Sequence, residues 1–158
     1  MQRRIVAFLL AAAVMIVLGS AAHSAFVQAA WSTAAGLADG GHPVAISFTD
    51  RLSWAMHDLG GIFLLYGGTT SVALLVAFLI AGWAARFTGR RELVFAIAGA
   101  LAIFTMFTAL RLLLGTVGIF GARGPFGLAA QMAVGLIAGA LFARMTPAVE
   151  AQRQGTPA

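Results

Sequence analysis

With 158 residues the chain has room for one domain, and 61% hydrophobic against 9% charged residues gives a mean hydropathy of +0.95. These values lie far outside the range of soluble globular proteins and indicate an integral membrane protein. The absence of cysteine excludes disulfides, thiolate metal sites, iron–sulfur clusters and covalently attached haem. The basic residues are all arginine, so neither a lysine Schiff base nor a Walker A lysine can form.

The charge pattern indicates a membrane topology and not a nucleic-acid site. The formal net charge is +5, but the arginines occur singly or in pairs beside apolar runs and form no continuous basic patch. We therefore expect the lipid bilayer as a partner and no nucleic acid. An arginine-only chain rich in alanine and glycine is typical of GC-rich bacterial genomes, which favours the bacterial inner membrane.

The first predicted span covers residues 5–30 and follows Arg3 and Arg4. A bilayer core about 30 Å thick needs about 20 apolar helical residues, which this segment supplies. The two arginines, the apolar run and the small residues at 20–22 also have the pattern of a secretory signal peptide. Because apolar character continues beyond that site to Trp31, an interfacial aromatic, we favour an uncleaved span.

The second span is predicted at residues 61–85, after an outer loop at 32–49. Residues 50–60 are predicted as an interfacial helix or as an extension of this span. One unbroken helix from Asp50 to Arg86 would be about 55 Å long, nearly twice the hydrocarbon thickness. A break is therefore expected at one of two glycine pairs, Gly60–Gly61 or Gly67–Gly68.

The third and fourth spans are predicted at residues 93–114 and 125–145. The outer loop between them, 115–124, carries a glycine at every third position, but no strand precedes it and it holds no lysine. A flexible hairpin loop is therefore favoured over a phosphate cradle. Residues 146–158 are polar and are predicted as a cytoplasmic tail. The expected fold is an all-α polytopic membrane protein, a four-transmembrane-helix bundle.

The distribution of arginines near the span ends sets the expected orientation. Seven arginines fall on the side of the two termini, and three fall on the opposite side. Because cytoplasmic loops carry the excess of positive charge, both termini are predicted to be cytoplasmic, an N-in/C-in arrangement.

Five polar residues are predicted to collect in the outer third of the bundle, where counting at about 1.5 Å per residue from the inner arginines places them. This predicted outer-face cluster consists of His23, His57, Asp58, Arg111 and Gln131. Arg111 either extends to water or forms an ion pair with Asp58, for which Arg51 competes. Polar side chains within spans are costly to bury and are therefore the first functional candidates.

Small residues recur at every fourth position of the fourth span and predict a helix-packing face that includes Gln131. The stripe consists of Gly127, Gly135, Gly139 and Ala143. Small residues let helix backbones approach closely, so Gln131 is expected to face a neighbouring helix of this chain or of another copy.

The leading hypothesis is a non-enzymatic accessory, assembly or structural subunit that acts through helix packing, in a larger membrane complex or a homo-oligomer. No catalytic residues, metal site or cofactor are predicted, because no nucleophile elbow or metalloprotease motif occurs. The alternative is a membrane redox protein that binds haem b or a metal through His23 and His57 at the outer face. The third hypothesis is a small oligomeric transporter.

Overall fold

The computed structural model describes residues 2–115 and 120–146, and within them every regular element is helical. Four long helices follow one another along the chain: α1 (Gln2–Ala38), α2 (Phe48–Thr88), α3 (Arg91–Leu114) and α4 (Pro125–Met145). A short 3₁₀ turn, Phe120–Ala122, precedes α4. Each of the four helices is long and apolar enough to cross a membrane. The predicted all-helical, four-span architecture is confirmed at this level.

The helices form a ring in which α1 packs on α4, α4 on α3, and α3 on α2. Helices α1 and α2 close the ring mainly through the part of α2 that precedes Phe63. We name the end with the 39–47 connection and the 3₁₀ turn the outer end, and the opposite end, with Arg3 and Arg91, the inner end.

The outer ends of α1 and α2 form a helical hairpin that is longer than the sequence indicated. Helix α1 continues to Ala38, so residues 32–38, predicted as the start of the outer loop, are helical, while the span end at residue 30 stays a prediction. The Ser32 hydroxyl donates to the carbonyl of Val44 at 2.6 Å, and the Val44 amide donates back to the Ser32 carbonyl at 3.1 Å. These bonds fix the connection against the helix.

Helix α2 does not break at either glycine pair. It is α-helical over Phe48–Ile62, π-helical over Phe63–Gly67, and α-helical again over Gly68–Thr88. The departure from α-helical geometry begins after the first glycine pair and ends at Gly67, within the second pair, and it widens one turn. Hydroxyl groups satisfy the carbonyls of this turn, because Thr69 donates to Leu65 at 2.7 Å and Thr70 to Tyr66 at 2.6 Å.

Glycines bring α3 and α4 into backbone contact. A Cβ atom on Gly99 would lie 2.0 Å from the carbonyl oxygen of Gly135, and one on Gly139 would lie 2.0 Å from that of Phe95. Side chains at these positions would therefore force the helices apart. Below this crossing, Phe78 stacks on Phe142 with ring centroids 4.7 Å apart, and Phe95 packs against both rings.

Arginines hold the inner end of the bundle together. The Arg91 guanidinium donates to the carbonyls of Ala143 and Thr146 and to the Thr146 hydroxyl, while Arg3 donates to the Met145 carbonyl at 3.1 Å. These acceptors lie at the C-terminus of α4, where the helix dipole favours positive charge. Residues 147–158 of the predicted tail and residues 116–119 of the predicted outer loop lie outside the described residues.

Candidate functional site

One face of α1 buries a column of polar side chains near the outer end. Its members are Ser20, His23, Ser24 and Gln28, each less than a tenth exposed. Their spacing of three, four and eight residues places them on a single helix face. Burying so many polar groups requires hydrogen-bond partners, which come from α2, from the 3₁₀ turn and from within the column itself.

Gln131 links three helices through its side-chain amide. Its Nε2 donates to the carbonyl of Gly19 on α1 at 2.8 Å, and its Oε1 accepts the Tyr66 hydroxyl of α2 at 2.5 Å. Both Gln131 and Tyr66 are 1% exposed. The absence of a side chain at Gly19 permits this contact, because a Cβ atom there would lie 1.9 Å from the Tyr66 hydroxyl. We name these three residues the Gln131 link.

His23 is buried and hydrogen-bonds to the turn that leads into α4. Its Nδ1 accepts the backbone N–H of Gly121 at 3.1 Å. In neutral histidine an accepting Nδ1 places the proton on Nε2, so neither nitrogen of His23 offers a lone pair for a metal in this arrangement. A Cβ atom on Gly121 would lie 2.7 Å from the His23 Cα, so glycine permits this close approach.

Gln28 closes the column at its outer end. Its Nε2 donates to the Ser24 hydroxyl and to the Arg51 carbonyl, each at 3.0 Å, which connects α1 to the first turn of α2. Trp31 and Trp54 meet edge to face beside these bonds, with ring centroids 5.3 Å apart. Within the described residues, the Ser20 hydroxyl is the one buried side-chain polar atom of the bundle without a hydrogen-bond partner.

His57 and Asp58 lie outside the column, at a small cavity between α1 and α2. The cavity measures 350 Å³ and is lined by Val27, Ser53, Trp54, His57 and Asp58. His57 is exposed and Asp58 is half-buried. The Asp58 carboxylate is close enough to His23 for the two groups to interact electrostatically. The structure thus brings Asp58 towards His23, while His57 faces the surface.

The predicted ion pair between Arg111 and Asp58 is absent. Among residues 2–115 and 120–146, the ion pair formed joins Arg144 to Glu92 at the inner end, with 2.5 Å between nitrogen and oxygen. Asp58 faces α1, as its neighbour Val27 shows, whereas Arg111 is exposed on the last turn of α3. Helices α2 and α3 contact each other through a face of α2 other than the one that carries Asp58, so the side chains of Asp58 and Arg111 do not meet.

The four small residues of the predicted stripe lie in the bundle interior. Gly135 and Gly139 contact α3, and Ala143 is buried near the inner end. Gly127 contacts the 3₁₀ turn, because a Cβ atom there would lie 1.8 Å from the Gly121 carbonyl oxygen. The stripe and Gln131 therefore face helices and a turn of the same chain.

The arrangement of these polar groups is better suited to hydrogen bonding between helices than to metal binding or nucleophilic catalysis. No group of three or more histidine or acidic side chains in the described ranges is placed to hold a metal ion. Neither buried serine, Ser20 or Ser24, accompanies a base in a hydrogen bond that would activate it. The buried polar groups thus hold the helices in register.

Several residues of the site were missed from the sequence. Tyr66 is the single tyrosine of the chain, and a tyrosine in an apolar span signals that its hydroxyl needs a partner. Gln28 and Ser20 share the helical spacing of His23, a signal that was present but unused. Arg91 and Thr146 carried no comparable signal, because their contact depends on where α4 ends.

The chain matches no protein-family model, no curated protein and no solved structure. Function is therefore inferred from the geometry of this chain alone.

Proposed function

We propose that this chain is a small multi-pass protein of the bacterial inner membrane that acts without catalysis. It serves as an accessory or assembly subunit, in a larger membrane complex or a homo-oligomer, through helix packing. Both chain ends are cytoplasmic in this proposal, as the seven-to-three distribution of arginines favours.

The Gln131 link is the observation that carries the proposal. Polar side chains inside membrane helices usually mark a ligand path or a reaction site. Here Gln131 uses both ends of its amide to join α1, α2 and α4, and His23 is engaged with the turn before α4. The buried polar side chains thus hold the helices of the bundle together, which supports a packing role.

Two further observations favour this role over the redox and transport hypotheses. Accepting a hydrogen bond at Nδ1 leaves neutral His23 poorly suited to bind haem iron or a metal. Towards the inner end the buried helix faces carry apolar side chains such as Met15, Leu74 and Phe78. A proton or ion path would require polar groups along that half of the bundle.

The test uses site-specific photocrosslinkers in native membranes, one on the exposed face of each helix. Suitable exposed positions are Leu9, Leu79, Phe104 and Ile137. An accessory subunit should give a protein adduct of one defined mass from one or two faces, and the protein should migrate in an assembly larger than its own 16.3 kDa on native gels.

The specificity control substitutes a second exposed residue of the reactive face by arginine, which should abolish both the adduct and the large assembly. The same substitution on a silent face should change neither. Absence of a defined adduct from all four faces, with monomeric migration, would contradict the proposal. A Soret band lost in His23→Ala would instead promote the redox hypothesis.

A further inference from the structure

A long apolar groove runs between α2 and α3 on the outside of the bundle. It measures 880 Å³, near the upper end of typical small-molecule sites of about 300–1,000 Å³. Its floor is made by alanines of both helices, Ala73, Ala77 and Ala81 on α2 and Ala98, Ala102 and Ala109 on α3. Exposed side chains such as Val76 and Leu101 rise beside them, so the short alanines leave a channel between taller walls.

The groove is long enough to hold a lipid acyl chain. From Thr69 to Ala84, both of which line it, α2 rises about 22 Å at about 1.5 Å per residue. Half of a hydrocarbon core about 30 Å thick, the depth of one leaflet, is about 15 Å. One acyl chain therefore fits along the groove from its inner end.

Positive charge concentrates at the inner end of the groove. The described residues of this end include Glu92 as their one acid, and it is already paired with Arg144. They include six arginines: Arg3, Arg4, Arg86, Arg90, Arg91 and Arg144. The excess charge would attract an anion at this depth.

Two of these arginines stand directly beyond the groove. Arg86 follows Ala84 by two residues, and the carbonyl of Arg90 accepts the amide of Val94, the first groove residue of α3, at 3.1 Å. Arg90 is the N-cap of α3 and thus lies one helical turn before that residue, at the inner end of the groove. Both side chains are exposed, and within the described part of the chain neither has a hydrogen-bond or ion-pair partner.

We propose that the groove between α2 and α3 binds an acyl chain of an anionic phospholipid whose phosphate is held by Arg86 and Arg90. Guanidinium groups match phosphate in charge and in hydrogen-bond geometry. A partner helix would also fill an apolar groove, but it would not account for two arginines at its inner mouth. The combination of apolar channel and terminal positive charge matches the chemistry of a phospholipid.

The first test measures lipid binding to the delipidated full-length protein by native mass spectrometry. Phosphatidylglycerol and phosphatidylcholine with identical acyl chains are compared, so that headgroup charge is the variable. We expect one phosphatidylglycerol to bind preferentially, and each of Arg86→Gln and Arg90→Gln to weaken its binding about fivefold. Arg111→Gln, an equal charge change at the outer end of α3, should leave binding unchanged. Equal affinity for the two lipids, or equal losses in all three variants, would overturn the proposal.

The second test locates the acyl chain without perturbing the fold. Phosphatidylglycerol with a photoactivatable acyl chain is crosslinked to the wild-type protein, and the labelled peptides are mapped. Adducts should concentrate on α2 and α3 between residues 69 and 109. Adducts spread over all four helices, or confined to α1 and α4, would overturn the proposal, as would a protein adduct from a crosslinker placed at Ala102.

Discussion

Gly99 and Gly135 approach each other so closely that neither position has room for a methyl group. A Cβ atom on Gly99 would lie 2.0 Å from the Gly135 carbonyl oxygen, and one on Gly135 would lie 2.5 Å from the Gly99 carbonyl oxygen. The atoms in the way are backbone, which cannot rotate aside as a side chain can. Helices α3 and α4 can therefore cross this closely only because Gly99 and Gly135 have no side chains.

The first prediction follows from this crossing. Gly99→Ala and Gly135→Ala should each lower the free energy of unfolding by about 1–3 kcal/mol, the usual cost of overpacking. Gly82→Ala is the matched control, because its new Cβ would lie 3.8 Å from the nearest atom, in Phe95. Alanine is also the better helix former by about 1 kcal/mol, so this control should be neutral or stabilising. Thermal melts in detergent measure all three, and equal melting temperatures would contradict the crossing.

The second prediction tests the Gln131 link. Gln131→Leu should destabilise the bundle by about 1–3 kcal/mol, because it leaves the buried Tyr66 hydroxyl without its acceptor and removes the bond between α4 and the Gly19 carbonyl. Tyr66→Phe should cost less, since Gln131 keeps its bond to Gly19. Combined, the two changes should cost measurably less than their sum, because the side chains share one hydrogen bond. Strict additivity in detergent unfolding would show that they act independently.

The third prediction separates His23 from His57, two of the three histidines at the outer end. His23→Ala should lower the melting temperature, because the Gly121 amide loses its buried acceptor. His57→Ala should leave it unchanged, since that side chain is exposed. The protein purified without added metal should be colourless, with no Soret band. Stoichiometric haem or transition metal lost in both variants would reverse this assignment.

The fourth prediction concerns orientation. Reporter fusions after Gly89 and after Thr146 should read cytoplasmic, and an insertion at residues 39–41 should read periplasmic, because the arginine-rich end is retained inside. Replacing Arg86, Arg90 and Arg91 by glutamine should weaken this preference. A periplasmic reading after Thr146 in the wild-type protein would refute the expected topology.

The fifth prediction compares two arginines of the inner end. Arg91→Gln should destabilise by about 1.5–3 kcal/mol, the cost of losing hydrogen bonds to a charged group, because it caps the end of α4. Arg144→Gln removes the same charge, but its ion pair with Glu92 is exposed and should contribute little. Unfolding in detergent at low salt distinguishes them, and indistinguishable stabilities would contradict the capping role of Arg91.

The sequence was sufficient to predict four long apolar helices, because about 20 consecutive apolar residues are typical of a membrane-spanning helix. The third and fourth helices begin and end within two residues of their predicted bounds. Strong local signals mark these boundaries. Gly115 adopts a left-handed conformation after the last residue of α3, and Pro125 is the first residue of α4.

The end of α1 and the course of α2 required tertiary information. Helix α1 continues past residue 30 to Ala38, and Ser32 on this part of the helix bonds to Val44, twelve residues further along the chain. The separation of Arg111 from Asp58 could not be predicted for the same reason, because it too depends on tertiary packing. Depth along a helix can be counted from the sequence, but the face on which a residue lies relative to other helices depends on the packing.

The widened turn at Phe63–Gly67 affects how α2 would respond to the insertion or deletion of a residue. This turn holds one residue more than an α-helical turn does. It therefore determines how the part of α2 before it is rotated relative to the part after it. Deleting one residue there would return the turn to α-helical geometry, because the π-helical turn already holds the extra residue. Trp54 and Asp58 would then keep facing α1. Deleting one residue from the regular α-helix on either side would instead rotate the outer hairpin by about 100° relative to the inner part of α2.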